Sequence, residues 1–379
     1  MRIALIGPTY PFKGGIAHHT TLLVNALREQ GHEVLFISFT RQYPKILYGR
    51  SDRDPSDSPL KTDVRYLIDS VNPLSWVQAA RAILRFQPEQ LVLPWWVPFW
   101  APLYLFITSW LSMRQAPISV TFLCHNILPH ESSRLKRWLT VLTLNRGDQF
   151  LVQSESEHQR LLELRPAAKV VKVASPTFGP LISSYEYKEG QPHQTPFGTK
   201  RFKALFCGII RHYKGLDILL EAVDLIKSNA EIRANFRLLV AGEFWEEVAI
   251  FQEFIQTRGL DHLIILEDAY LPNDQLVAYL SAADVVVLPY RSASQSAILQ
   301  AALAAGTPVI GSDVGGISEE ISDGSNGYLV PPADPQALAQ CLLHFFQESG
   351  KANLQPNKDK REKHTWAHFA AELVKLADV

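Results

Sequence analysis

The chain has 379 residues, of which 47% are hydrophobic, and its 37 basic and 38 acidic residues leave a formal net charge of −1. This length exceeds what one ordinary hydrophobic core organises, so we expect two globular domains. The near-neutral balance argues against nucleic acid as a partner, because nucleic-acid binding usually needs a broad basic surface.

The cysteines and the N-terminus indicate where the protein works. Cys124, Cys207 and Cys341 lie far apart and form no Cys-x-x-Cys pair, which is typical of a reducing compartment and gives no sign of a structural zinc site. Residues 1–8 lack a basic segment followed by a long apolar run, so no signal peptide is expected. We therefore expect a cytoplasmic protein.

The first half of the chain alternates short apolar segments with helical patterns, which is typical of a parallel sheet with crossover helices. A turn ends at the Gly14-Gly15 pair, and the polar residues 41–65 predict a loop. The predicted strands cover residues 2–7, 34–39, 90–93, 120–124, 149–153 and 170–173, and the predicted helices cover residues 16–30, 76–86 and 134–146.

One segment, residues 91–113, carries no charged residue and is long enough to cross a bilayer. Pro94, Pro98 and Pro102 divide it, and a lipid-exposed helix does not readily tolerate three such interruptions. We interpret it as a buried strand, a loop and a helix from about residue 101. Its tryptophans then form either core and cleft wall, or a partly exposed aromatic surface that meets an acceptor or a membrane.

Residues 179–200 are rich in proline and glycine and predict a linker between a first domain, residues 1–178, and a second, residues 201–350. The alternation restarts in the second domain, although the two halves share no sequence repeat. Residues 364–379 predict an amphipathic helix that packs back on the first domain. The predicted strands of the second domain cover residues 203–207, 237–241, 263–266, 285–288, 309–311 and 328–330.

Two doubly wound domains that face each other would form a cleft, and open α/β sheets bind ligands beyond the carboxyl ends of their strands. A loop of small polar residues follows the strand that ends before Pro289, and a helix begins near Ser296. Free backbone N–H groups and the positive end of that helix favour a phosphate there. The residues expected at the strand ends are Gly14, Gly15, His18, His19, Trp95, Trp96, His125 and Asn126 in the first half, and Gly208, Arg211, Lys214, Gly242, Glu243, Tyr290 and residues 292–296 in the second.

Several motifs occur in an order that resembles the GT-B glycosyltransferases, specifically their retaining family 4. They are residues 14–17 (GGIA), 31–34 (GHEV), 208–215 (GIIRHYKG), 283–284 (AD), 289–290 (PY), 306–309 (GTPV), 315–316 (GG) and 327–331 (GYLVP). The resemblance implies an α/β fold of two Rossmann-like domains facing a cleft. It also implies metal-independent, retaining transfer of a hexose from a nucleotide-diphosphate sugar, which is a co-substrate, with no cofactor.

The resemblance assigns roles to particular residues. Arg211 and Lys214 would pair with the diphosphate, where their contacts strengthen as the leaving group gains charge, and His125 would stabilise charge beside the sugar. The catalytic set is therefore His125, Arg211 and Lys214. The donor-binding set is Gly14, Gly15, Gly208, Glu243, Tyr270, Tyr290, Ser294, Gln295, Ser296, Ala297 and Gln300. The acceptor set is His18, His19, Trp95, Trp96, Asn126, His130 and Glu131, of which Glu131 is equally readable as the N-terminal acid of the next helix.

The chain departs from the family at two positions. The family usually carries two glutamates eight positions apart, and here those positions hold Ser292 and Gln300. Gln300 can still accept a hydrogen bond from a ribose hydroxyl, as the family's second glutamate commonly does, but without the charge. Ser292 cannot replace a carboxylate near the sugar, which leaves an inactive sugar-nucleotide-binding homologue as an alternative function.

The sequence gives no pattern that is typical of a metal site. The only Asp-x-Asp, at residues 52–54, lies in a polar stretch, so we interpret it as a solvated loop and expect no metal site.

A helix with Arg134, Lys136, Arg137 and Trp138 is either an ordinary amphipathic element or a contact for anionic lipid at the inner membrane face, which would suit a glycan or lipid-linked acceptor. A GT-B-type epimerase remains a rival, whereas a dinucleotide oxidoreductase is disfavoured because no GxGxxG follows either first strand.

Overall fold

A computed structural model of the chain describes residues 1–46, 49–57, 60–128, 133–185, 195–347 and 364–378. The chain divides into two compact units. The first unit comprises Met1–Pro176 and Glu362–Val379, and the second comprises Thr177–Arg361.

The first unit is a seven-stranded parallel sheet in the order β3-β2-β1-β4-β5-β6-β7. Its strands are β1 Arg2–Ile6, β2 Glu33–Arg41, β3 Arg65–Asp69, β4 Gln90–Trp95, β5 Ser119–Cys124, β6 Gln149–Val152 and β7 Lys169–Lys172. Its helices are α1 Gly15–Glu29, α2 Pro73–Phe86, α3 Ala101–Met113, α4 Arg134–Leu144, α5 Glu155–Leu164 and a C-terminal helix, Trp366–Lys375.

The uncharged segment around α3 folds as a strand, a turn and a helix, so that prediction is confirmed. Strand β4 is buried along its whole length, a 3₁₀ turn spans Pro98–Trp100, and α3 follows directly. Trp100 and Tyr104 are fully buried members of the core, and the Tyr104 hydroxyl donates to the carbonyl of Pro94 at 2.9 Å. Across the described ranges, no helix combines the length and apolar character needed to cross a bilayer.

The C-terminal helix packs against α1 of the first unit. The amide of Gln90 donates to the carbonyl of Leu373 at 3.1 Å, and the amide of Gln30 donates to the carbonyl of Ala367 at 2.6 Å. The Trp366 ring lies edge-on to His19 with 4.8 Å between centroids. The C-terminal helix therefore belongs to the first unit.

Two features of the first unit differ from the sequence-based expectation. Strand β3, which was not predicted, begins where the predicted loop ends. Its Tyr66 is exposed, so the strand lacks the continuous apolar pattern of a buried strand. The Asp-x-Asp segment is not a solvated loop, because Arg53 pairs with Phe12 in an antiparallel bridge and Asp54 is buried. Asp54 accepts hydrogen bonds from Ser56 and faces His18 at 3.7 Å.

The second unit is a six-stranded parallel sheet in the order β10-β9-β8-β11-β12-β13. Its strands are β8 Phe202–Cys207, β9 Phe236–Gly242, β10 Ile264–Asp268, β11 Val285–Leu288, β12 Val309–Ser312 and β13 Gly327–Val330. Its helices are α6 Gly179–Ser184, α7 Leu216–Ile226, α8 Ala230–Asn235, α9 Val248–Thr257, α10 Asn273–Ala282, α11 Ala297–Ala304, α12 Gly315–Glu320 and α13 Pro335–Gln347.

The expected linker 179–200 contains structure of its own. Helix α6 starts with Gly179 and Pro180, where proline suits the first helical turn because its missing N–H has no helical acceptor there. It packs on α11, and the backbone N–H of Phe178 donates to the carbonyl of Gln300 at 3.4 Å. Residues 177–185 therefore belong to the second unit, while residues 186–194 lie outside the described ranges.

Candidate active site

The second sheet has a topological switch point between β8 and β11. Strands β9 and β10 follow on one side of β8, and β12 and β13 follow on the other side of β11. The loops after β8 and β11 therefore run in opposite directions and leave a crevice at their carboxyl ends, which is where open α/β sheets bind ligands. The loop that contains Lys214 and the loop that contains Tyr290 leave the sheet at this point.

Lys214 is a buried cation at the switch point. It ends a 3₁₀ turn, His212–Lys214, and is only 8% exposed. Its ammonium lies 5.4 Å from the centroid of the Tyr290 ring. Gly208 has φ 109°, and a Cβ atom built there would lie 3.1 Å from the Lys214 Nζ. A glycine at this position thus leaves room for the ammonium.

Close backbone contacts fix the loop after β8. Gly215 has φ 69°, and a Cβ atom there would lie 2.1 Å from the carbonyl oxygen of Pro289. At Gly242, which ends β9, an added Cβ would lie 1.8 Å from the carbonyl oxygen of Gly208. Both positions require glycine because only a missing side chain permits such an approach. The loop that carries Lys214 is consequently wedged between the ends of β9 and β11.

Arg291 ties the same loop to the end of β11. Its guanidinium pairs with both carboxylate oxygens of Asp217 and donates to the carbonyl of His212 at 3.0 Å. Its backbone N–H donates to the carbonyl of Tyr213 at 2.7 Å. Burial acts to raise the pKa of Asp217, but the hydrogen bonds and charge of Arg291, together with backbone hydrogen bonds at the start of α7, outweigh it and lower that pKa.

Helix α11 begins at the far end of the small polar loop. Ser296 is its N-cap, and the Ser296 hydroxyl accepts from the backbone N–H of Leu299 at 3.2 Å. The Tyr290 ring is fully buried, and burial raises the pKa of its hydroxyl against an opposing hydrogen bond with Ser296. Ser294 and Ser296 are buried, whereas Gln295 and Ala297 are half-buried.

Gln300 lies one turn into α11 and is 2% exposed. Within the part of the chain that the structure describes, its side-chain oxygen Oε1 is buried and accepts no hydrogen bond. An unpaired buried acceptor is unfavourable unless a ligand supplies the donor. This observation is compatible with the ribose-binding role that the family resemblance implies for the position.

Arg211 differs from Lys214 in its exposure. It is solvent-exposed, and its guanidinium carbon lies 4.0 Å from the centroid of the Trp245 ring. Trp245 donates its indole N–H to the carboxylate of Glu243 at 3.0 Å. Glu243 itself is buried at the end of β9, and Tyr270 is half-buried after the end of β10. Sequence reasoning missed Trp245, since one tryptophan after a strand carries no spacing signal.

A cluster of buried polar rings lies in the first unit. The rings of His19 and His125 meet edge-on with 4.6 Å between centroids, and the Gln153 amide lies 2.7 Å from His19 Nε2. Burial lowers the pKa of His125 to about 4, with Gln153 acting in the opposite direction. Burial and then the neighbouring His125 lower the pKa of His19. Both rings are therefore neutral at neutral pH.

The first unit also contains the predicted glycine turn and three further acceptor candidates, Asn126, His130 and Glu131. Gly14 has φ 108° and precedes α1, which begins at Gly15, so the glycine turn forms as expected. Asn126 is half-buried, with no hydrogen-bond partner for its side-chain oxygen among the described residues. The acceptor candidates His130 and Glu131 lie outside the described residues.

The structure places Trp95 and Trp96, two of the acceptor candidates, against partners within the first unit. Trp95 is fully buried in the core and donates its indole N–H to the carbonyl of Ile127 at 3.2 Å. Trp96 is 8% exposed and donates to the hydroxyl of Tyr43 at 3.1 Å. Both indoles are used within the first unit, so these residues hold the strand end in place.

Within the described ranges, no group of three or more His, Cys, Asp or Glu side chains is arranged to hold a metal ion. The two carboxylates of the Asp-x-Asp at residues 52–54, which is the pattern closest to a metal site in the sequence, face different partners. Asp52 faces Arg53 at 3.7 Å, while Asp54 faces His18 and Ser56.

Two family models match the chain, one for each unit. The model described as Glycosyltransferase Family 4 matches residues 13–176, and the one described as Glycosyl transferases group 1 matches residues 201–348. The chain belongs to the glycosyltransferases of the GT-B fold. Sucrose-phosphate synthase from Thermosynechococcus elongatus has a similar fold, with a TM-score of 0.72 at 19% identity over 100% of this chain and 98% of that one.

Other similar proteins extend the comparison for this GT-B glycosyltransferase. Anabaena HepE, solved in complex with UDP-glucose, has a TM-score of 0.63 at 15% identity over 100% of this chain and 97% of that one. D-inositol 3-phosphate glycosyltransferase from Corynebacterium urealyticum is 29% identical over 180 residues, which are 45% of this chain and 41% of that protein. The chain thus spans less than half the length of this curated relative.

Proposed function

We propose that the protein transfers a hexose from a nucleoside-diphosphate sugar to a glycan or lipid-linked acceptor, with retention of anomeric configuration and without a metal ion. The observation that carries this proposal is Lys214, a buried cation beside Gly208 and Tyr290 at the switch point of the second sheet. An ammonium in a partly desolvated loop favours an anionic ligand far more than an exposed one does. The UDP-glucose bound to the similarly folded HepE supports a ligand of this class.

The chemistry follows from where charge develops. When the bond between the sugar's anomeric carbon and the diphosphate oxygen breaks, the oxygen keeps the electron pair and the leaving diphosphate gains negative charge. The oxygen of the acceptor hydroxyl forms the new bond to the anomeric carbon, and its proton passes to the leaving diphosphate. Lys214, Arg211 and the N-terminal N–H groups of α11 would stabilise the leaving group more strongly in the transition state than in the bound substrate. Retention rests on the family resemblance, and the role of His125 stays a prediction.

The decisive experiment is calorimetry with a panel of UDP, ADP and GDP sugars, with hydrolysis of each followed in parallel. Binding with slow hydrolysis supports a transferase that awaits its acceptor. Lys214→Ala should abolish binding, and Lys214→Met, which keeps the buried volume, should do the same. Lys227→Ala is the matched control, because Lys227 pairs with Asp224 near the surface of the same unit. If both Lys214 variants bind as the wild type does, the phosphate site is wrongly assigned.

Metal independence has its own test. Binding and hydrolysis should be unchanged after treatment with EDTA and after addition of Mg²⁺ or Mn²⁺. A loss in EDTA that Mg²⁺ restores would contradict the proposal.

A second function, sugar-nucleotide binding without turnover, is favoured by Ser292 and Gln300, which replace two family carboxylates. In this case the calorimetric panel would show binding while hydrolysis and transfer stay at background for every sugar. A GT-B-type epimerase would instead convert one nucleotide sugar to another without any acceptor. Product analysis by chromatography separates these outcomes from transfer.

For the acceptor side, we propose that α4 contacts anionic lipid. Arg134, Leu135, Lys136, Arg137 and Trp138 are all exposed, Leu135 by 64% and Trp138 by 58%. Cationic side chains next to exposed apolar ones suit a phospholipid surface. Replacing Arg134, Lys136 and Arg137 by serine should abolish sedimentation with phosphatidylglycerol liposomes. Replacing the exposed Arg81 and Arg85 of α2 should not, and unchanged sedimentation of the α4 variant would overturn this part of the proposal.

A further inference from the structure

Arg211, Trp245 and Glu243 form a chain of contacts at the carboxyl ends of β8 and β9. The Arg211 guanidinium carbon lies 4.0 Å from the centroid of the Trp245 ring, which is a cation–π contact. The Trp245 indole N–H donates to Glu243 Oε1 at 3.0 Å. Glu243 is 2% exposed, so the carboxylate that orients the indole is itself held inside the protein.

The backbone reinforces this arrangement. The N–H of Ile210 donates to the carbonyl of Glu243 at 2.9 Å, and the N–H of Trp245 donates to the carbonyl of Ile210 at 3.0 Å. These two bonds join the segment before Arg211 to the segment that carries Trp245. The arginine and the ring are therefore kept side by side by main chain as well as by side chains.

The way Arg211 is held leaves its hydrogen-bonding capacity available. In the described part of the chain, its guanidinium has no carboxylate within ion-pair distance and donates no hydrogen bond to protein. A carboxylate partner would satisfy the N–H donors and offset the charge, whereas an aromatic face restrains the guanidinium from one side and leaves the donors at its edge accessible. An exposed arginine without such a restraint would lose more conformational freedom on binding an anion.

We propose that Trp245 is a positioning residue that holds Arg211 ready to bind the diphosphate of the nucleotide, and that Glu243 fixes the orientation of the indole. The inference rests on the proposed function, because it needs a diphosphate at the switch point. Trp245 itself is 39% exposed. It acts through Arg211 and makes no contact with the diphosphate.

The test is a double-mutant cycle on nucleotide binding, with the tightest-binding of UDP, ADP and GDP and with inorganic pyrophosphate as probes. Trp245→Leu and Arg211→Gln should each weaken binding of both probes by roughly tenfold, about what one charge-assisted hydrogen bond contributes. The double variant should bind no more weakly than Arg211→Gln alone, because the two residues form one unit. Trp245→Phe keeps an aromatic face and should bind within about threefold of the wild type.

A second readout separates positioning from general destabilisation. Raising the salt concentration weakens binding that depends on charge, so Trp245→Leu and Arg211→Gln should reduce the salt dependence of binding by the same amount. Leu225→Ala, at an exposed apolar side chain on α7 of the same unit, is the control and should change neither affinity nor salt dependence. Since Trp245 is partly exposed, its variants should unfold within a few degrees of the wild type.

Several results would overturn the inference. Additive losses in the double variant would show that Trp245 acts independently of Arg211. A loss confined to the nucleotides and absent with pyrophosphate would show that the indole stacks on the base or sugar. Wild-type affinity in Trp245→Leu would show that the ring has no role. The proposed function has its own test, Lys214→Ala. If that variant still binds the nucleotide, the diphosphate site is elsewhere, and both the proposed function and the role of Trp245 are wrong.

Discussion

Arg291 forms a two-pronged ion pair with Asp217, with Nη1 at 2.8 Å from Oδ1 and Nη2 at 2.5 Å from Oδ2. The pair joins the residue after Tyr290 to the first turn of α7, which follows Lys214 and Gly215 in the chain. Neither Arg291 nor Asp217 is expected to touch the ligand. The ion pair therefore contributes to binding by holding the Lys214 loop in place.

We expect Arg291→Lys to weaken nucleotide binding by about fivefold, since lysine cannot pair with both carboxylate oxygens and the carbonyl of His212 together. The Asp217 side chain is 43% exposed, so the free energy of unfolding should fall by less than about 1 kcal/mol. Calorimetry and urea unfolding measure the two effects. A large loss of stability with unchanged affinity would contradict this account of the pair.

A second prediction concerns the close approach at Gly215. Gly215→Ala must move its new Cβ away from the carbonyl oxygen of Pro289 and also adopt a positive φ. We expect the free energy of unfolding to fall by about 3 kcal/mol and nucleotide binding to be lost. Gly259→Ala is the control, because Gly259 has φ 64° but no atom within 4 Å of an added Cβ. That variant should lose about 1 kcal/mol and keep its affinity.

Gln300 provides a third prediction, based on its buried, unpaired side-chain oxygen. Gln300→Met keeps the volume but removes the acceptor, so affinity for a nucleoside diphosphate should fall about tenfold. Affinity for inorganic pyrophosphate, which has no ribose, should stay the same. Equal losses for both ligands would mean that Gln300 acts on the loop or on the phosphates, and calorimetry with the two probes distinguishes these cases.

A fourth prediction is an acid-dependent loss of stability centred on His125. Burial lowers the pKa of this imidazole to about 4, whereas in an unfolded chain it is about 6.5. The unfolded chain therefore binds a proton in this window that the folded protein does not, and stability falls as the pH drops from about 6.5 to 4. The contribution of His125 is about 3 kcal/mol at the lower limit.

Urea midpoints measured between pH 7.5 and 4 check this prediction. His125→Asn should show a shallower decline over that window, while replacement of the exposed His262 should leave the decline unchanged. A His125 variant with the same decline as the wild type would show that other groups control acid stability.

The strands that flank the candidate site were predictable from sequence because each is a short, continuous apolar run next to a glycine or proline. The helix that begins after Ser296 was predictable for a similar reason, since serine at this point is a common N-cap. Strand β3 was missed because it lies at the edge of the sheet, where exposed side chains interrupt the apolar pattern. The aromatic segment around Trp95 was divided correctly into strand and helix, but the partner of the Trp95 indole was not predictable.

By itself, the sequence determined the alternation of strands and helices and the glycine-marked turns, because those features depend on residues within a few positions of one another. The tertiary structure alone decided which of two similar cations is buried, Lys214, and which is exposed on an aromatic face, Arg211. It also decided that His18 faces Asp54 and that Gln153 meets His19. Such pairings join residues far apart in the chain, and they form only when the packing of the core brings the strand ends together.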